Sequence, residues 1–113
     1  MPTMTQGANA YATAAGHRGQ REQEADVFRR ATGALKAARD SGPIARVQAI
    51  ADNRRLWITV NNLMCDPLNS LPRDLRASIV SVGLAVQREM DREMPDFDFL
   101  IGINENIMAG LST

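Results

Sequence analysis

At 113 residues the chain is long enough for one domain and too short for two of ordinary size. Its 13 Lys plus Arg balance 13 Asp plus Glu, which removes the attraction that nonspecific binding to nucleic acid or an anionic membrane draws on. A single cysteine, Cys65, excludes an intramolecular disulfide. No apolar run reaches the roughly 18 to 20 residues of a membrane span, and the N-terminus lacks the pattern of a secretory signal. The chain therefore reads as cytoplasmic.

Residues 1–7 are polar and unpatterned and read as a mobile lead, with Met4 an alternative start; residues 8–113 read as one helical domain. The alanine-rich stretch from Tyr11 to Ala15 is compatible with a short lead helix, which Gly16 and Gly19 would break. From Gln20 to about Asp40, Val27, Phe28, Ala31, Ala34, Leu35 and Ala38 fall on one side of a helical wheel. That face is mostly alanine, so a neighbouring helix can approach closely. Asp40-Ser41-Gly42-Pro43 predicts a glycine stop followed by a proline start.

The second long helix, from Pro43 or Ile44 to about Cys65, carries apolar residues on two sides. Val47, Ile50, Ala51, Trp57, Ile58 and Met64 form the larger face, with Ala49, Leu56, Val60 and Leu63 nearly opposite. Only a wedge of Gln48, Asp52, Arg55, Thr59 and Asn62 reads as solvent-facing, so the helix is central or hides one face under a partner. Arg54 and Asn61 lie within the larger face, where each needs a hydrogen-bonding partner if buried.

The prolines of Asp66-Pro67-Leu68-Asn69-Ser70-Leu71-Pro72 make that segment a loop. Pro72 and Asp74 suit the start of a third helix, whose core stripe is Leu75, Ile79, Val82, Val86 and Met90, running to about Met94. Val80 and Leu84 lie off that stripe and mark a candidate interface patch. After Met94-Pro95, Phe97, Leu100, Ile101, Ile107, Met108 and Leu111 share one face of a fourth helix, with Asn104 among them. The fold class is all-α: a compact bundle of four main helices.

Chemistry-bearing clusters are missing from the pattern. His17 lies beside glycine with no triad or metal set to join, Cys65 reads as a small packed side chain, and no strand precedes a glycine-rich phosphate loop. The chain reads as a binding protein with no catalytic residue, metal, cofactor or small-molecule substrate.

Several strings occur together: Tyr11, the run Asn53-Arg54-Arg55-Leu56-Trp57, the loop with Asp66, Pro67, Asn69, Leu71 and Pro72, then Leu75, Arg76 and Ile79, and the close from Leu100-Ile101 through Ile103-Asn104 to Ala109-Gly110-Leu111. In this order and spacing they resemble the flagellar biosynthesis regulator FlaF family from about Ala8 onward. The resemblance implies an all-helical cytoplasmic protein that associates with flagellin, supports its synthesis and secretion, and acts alongside FlbT. Asn53, Arg54, Arg55, Trp57, Asp66, Pro67, Pro72 and Asn104 are then family-motif positions, shaping helix junctions or making contacts.

Flagellin carries amphipathic terminal helices, so a spare apolar surface suggests helix-in-groove packing. Leu56 and Val60 of the second helix, with Val80 and Leu84 of the third, are the expected partner-binding residues. An alternative is direct contact with flagellin messenger RNA through Arg54, Arg55, Arg73 and Arg76, against which zero net charge and few aromatic residues count. Another is a structural subunit of a flagellar assembly using the same apolar faces.

Overall fold

A computed structural model describes residue 23 and residues 25–111, and within them the fold is an all-α bundle of four helices. Residues 1–7, Tyr11 to Ala15 and His17 lie outside the described residues. Helix α1 covers residues 25–38, and three more follow: α2 (Pro43–Met64), α3 (Arg73–Met90) and α4 (Phe97–Leu111).

The core is built where the apolar stripes meet. Phe28, Ala31, Leu35 and Ala38 of α1 pack with Leu56, Trp57 and Val60 of α2, Ile79, Val86 and Met90 of α3, and Phe97, Leu100 and Ile101 of α4. Phe28 meets Trp57 edge to face, with ring centroids 6.3 Å apart. Val27, however, is exposed, as is Leu75 at the start of the α3 stripe.

Gly42 is not the glycine stop that the Gly42-Pro43 pair predicts. Its φ of −67° is ordinary, and it serves as the residue before Pro43 at the start of α2. The end of α1 is held by other groups: Ser41 Oγ donates to Ala37 O at 2.8 Å, and Arg46 of α2 reaches back to Arg39 O at 3.2 Å. The Arg46 guanidinium also lies 4.6 Å from the centre of the Phe97 ring, joining this corner to the start of α4.

Helix α3 ends at Met90, short of Met94, and its Glu89 shapes the turn that follows. One Glu89 carboxylate oxygen accepts the Asp96 N–H at 3.0 Å, and Asp96 Oδ1 accepts the Phe99 N–H at 3.1 Å, which caps the beginning of α4. Two ion pairs tie α1 and the turn after it to α4: Lys36 to Glu105 at 3.1 Å and Arg39 to Asp98 at 2.6 Å. The hydrogen bond and charge of Asp98 raise the Arg39 pKa above its ordinary value.

On α2 the inward line takes most of the smaller apolar face together with Trp57 of the larger one. Ala49, Asn53, Leu56, Trp57 and Val60 are buried, whereas Val47 and Ile58 of the larger face are exposed. The solvent wedge of Gln48, Asp52, Arg55, Thr59 and Asn62 is exposed throughout. Cys65, expected to be packed, is exposed beyond the last turn of α2.

Candidate functional site

The centre of the bundle holds a chain of polar side chains instead of hydrocarbon. Asn53 and Asn104 are each 0% exposed, and Trp57 is nearly so. Trp57 Nε1–H donates to Asn104 Oδ1 at 2.9 Å, Asn104 Nδ2 donates to Asn53 Oδ1 at 2.8 Å, and Asn53 Nδ2 points to Met90 Sδ at 3.4 Å. The direction of the relay follows from its first member. An indole N–H can only donate, so Asn104 must turn its oxygen toward Trp57 and its amide nitrogen toward Asn53.

The relay joins α2 to α4 directly and reaches α3 through Met90. Among the described residues no buried side-chain nitrogen or oxygen lacks a hydrogen bond, so it meets the requirement for polar groups inside an apolar core. A register shift of α4 against α2 would break it, leaving buried amides unpaired.

Gly83 makes room for the tryptophan. A Cβ at this position would sit 3.3 Å from Trp57 Cε3, tighter than ordinary packing, so a side chain at residue 83 would push against the six-membered ring of the indole. The sequence signal is an isolated glycine inside a helical stripe of β-branched residues, which the periodicity reading passes over.

The motif residues of the α2–α3 loop build a second set of contacts. Asp66 Oδ1 accepts the Leu68 N–H and Asn69 Oδ1 the Leu71 N–H, both at 2.9 Å, forming two successive Asx turns across Pro67 and into Pro72. Asn69 Nδ2 donates to Leu63 O at 2.8 Å. Arg76 Nε donates to Leu71 O at 3.1 Å, and another guanidinium nitrogen to Met64 O at 3.4 Å. These donors tie the last carbonyls of α2, Leu63 O and Met64 O, and the loop carbonyl of Leu71 to the α2–α3 junction.

The arginines of the motif do not gather into one patch. Arg54 pairs with Asp91 at 2.9 Å, linking α2 to the end of α3, while Arg55 lies on the outer wedge, 3.8 Å from Asp52. Arg76 is occupied with backbone carbonyls and Arg73 begins α3. Asn61, the other polar residue of the larger α2 face, is exposed.

Of the four residues expected to face a partner, two are inside the bundle. Leu56 is 3% exposed and Val60 6%, whereas Val80 is half-buried and Leu84 is 55% exposed. Ile58 of α2, 52% exposed, is an apolar residue that α2 presents outward, as are Ile44 and Val47 nearer its start. Ile58 and Leu84 each follow a member of the close Trp57–Gly83 approach, which sets them at one level of the α2–α3 hairpin.

Nothing in these arrangements has the form of a reaction centre. Among the described residues no group of three or more His, Cys, Asp or Glu side chains could hold a metal ion, and no helix is long and apolar enough to cross a membrane.

Comparison with known proteins gives the family. The pattern of the family described as "Flagellar protein FlaF" matches residues 7–111. The chain belongs to the FlaF family. No curated protein and no solved structure matches it significantly. The FlaF match spans both asparagines, Trp57, Gly83 and the α2–α3 loop, so the relay and the capped junction lie within the family domain.

Proposed function

We propose that this FlaF-family protein is a cytoplasmic, non-catalytic partner of flagellin that covers an amphipathic flagellin helix before export, and that it supports flagellin synthesis together with FlbT. The observation that carries this reading is the exposed pair Ile58 and Leu84, set level on the outer face of the α2–α3 hairpin. Val47 of α2 adds a further exposed apolar side chain. Val80 contributes from the half-buried edge. Exposed apolar side chains on two neighbouring helices suit helix-on-helix packing, in which a partner helix buries its own apolar stripe.

Messenger RNA contact has less support. Arg54 is paired with Asp91 and Arg76 is spent on carbonyls, which leaves Arg55 and Arg73 without a shared patch for phosphate.

The test is to mix purified protein with monomeric flagellin at physiological salt and follow complex formation by size-exclusion chromatography with light scattering. Flagellin truncated at either end serves as comparison. A complex lost with one truncation, and weakened by Ile58→Asp with Leu84→Asp, is the expected result. Absence of a complex at micromolar concentration would count against the reading.

A further inference from the structure

Helices α1 and α2 meet along a seam that is open to solvent and whose lining includes neither Ile58 nor Leu84. Toward the start of α1 the seam widens into a groove of about 320 Å³, floored by Val27, Ala31 and Leu56 and rimmed by Arg30, Arg55 and Asp52. Toward the end of α1 it holds a second hollow of about 210 Å³ between Ala34 and Ala38 on one wall and Ala45 and Ala49 on the other. Asp52 borders both hollows, so they form one trough. Between residues 27 and 38 this trough follows about 17 Å of helix, close to three turns.

Its shape and charge each narrow the occupant. Small ligands are held in enclosed clefts that surround most of their surface, whereas this trough is long and open. Alanine walls are low, so a third helix can lie in the seam at close range. At the wide end two guanidiniums face one carboxylate. Arg55 is 82% exposed at its side chain and lies 3.8 Å from Asp52, and Arg30 has no ion pair among the described residues. The local excess is positive although the whole chain is neutral.

The geometry points to an acidic amphipathic helix of a partner protein as the occupant of this trough. Its small apolar residues lie on the alanine walls, its larger ones against the exposed Val27, and its Asp or Glu side chains meet Arg30 and Arg55. The buried apolar contact supplies most of the affinity, while the exposed arginines fix direction and speed association. This site is separate from the Ile58–Leu84 face and does not depend on the flagellin reading.

The test uses the full chain and a phage-displayed library of helix-biased peptides. Selected peptides are synthesised, and their binding is followed by fluorescence anisotropy at low and high salt. They are expected to carry Asp or Glu beside Leu, Ile or Ala at helical spacing. Binding should fall at least tenfold with Arg30→Glu plus Arg55→Glu, weaken as salt rises, and recover on that double variant when the peptide's acidic residues become Lys. Both arginines are exposed, so circular dichroism should show an unchanged helical fold. Failure to select any peptide, selection without acidic residues, or binding unaffected by the double variant would overturn the assignment. So would loss of binding through Ile58→Asp with Leu84→Asp instead. Dimerisation in light scattering that the arginine variants abolish would give the trough to a second copy of the chain and equally overturn it.

Discussion

Trp57 donates its indole N–H to Asn104 Oδ1 at 2.9 Å across 47 positions of sequence, and Asn104 passes the chain on to Asn53 at 2.8 Å. Both asparagines are fully buried, so neither can turn to water when its partner is removed. Asn104→Ala strands the Trp57 donor and the Asn53 oxygen together. At about 1 to 3 kcal/mol per unsatisfied buried group, the expected loss is about 3 kcal/mol in urea unfolding followed by Trp57 fluorescence. A loss below about 0.5 kcal/mol would mean that the relay does not hold the helices in register.

Two helical glycines should respond in opposite directions. No atom lies within 4 Å of a Cβ built on Gly102, so Gly102→Ala should stabilise α4 by up to about 1 kcal/mol through helix propensity. At Gly83 the indole lies 3.3 Å from such a Cβ and is tethered at its other edge by Asn104. Gly83→Val should therefore cost about 2 kcal/mol by overpacking. Thermal unfolding of the two variants side by side checks this; a shift of the same sign in both would refute the account of Gly83.

The α2–α3 junction depends on guanidinium geometry as well as charge. Arg76 reaches Leu71 O and Met64 O from different nitrogens. Arg76→Lys keeps the charge but not the planar fork. Arg76→Lys and Arg76→Ala are both expected to lose about 1 kcal/mol or somewhat more. Hydrogen exchange at the last turn of α2 should rise in both variants, and full protection in the lysine variant would show that charge alone suffices.

Four aspartate substitutions separate core from surface. Leu56→Asp and Val60→Asp place a carboxylate in the core and should unfold the bundle, since an unpaired buried charge costs several kcal/mol or more. Ile58→Asp and Leu84→Asp lie at exposed positions and should leave unfolding within about 0.5 kcal/mol of the parent. Flagellin binding is informative only for the second pair. Retained binding by the folded Ile58→Asp, Leu84→Asp double variant would place flagellin on another surface.

Helix existence was readable in the one-dimensional pattern because burial along a helix repeats at a fixed angle. The α3 stripe shows this, with Ile79, Val86 and Met90 buried and Val82 half-buried at the expected spacing. The loop motif was readable for a related reason: Asp, Asn and Pro act on their own neighbouring backbone. Ends were less legible, and α1 stops at Ala38 through contacts from Ser41 and Arg46 instead of through Gly42.

Residue types and their spacing alone determined four amphipathic segments, the proline-bounded junctions, the neutral charge balance and the order of motif residues that carries the FlaF family. Only the assembled bundle decided which side of α2 faces inward. Hydrophobic periodicity counts apolar side chains, and both sides of α2 have enough of them. The choice rests on Asn53 and Trp57, which find partners in Asn104 and Met90 on distant helices, and on Gly83, which leaves room for the ring beside α3. Those contacts are non-local, so no window along the chain contains them. They bury Leu56 and Val60 and leave Ile58 and Leu84 outside.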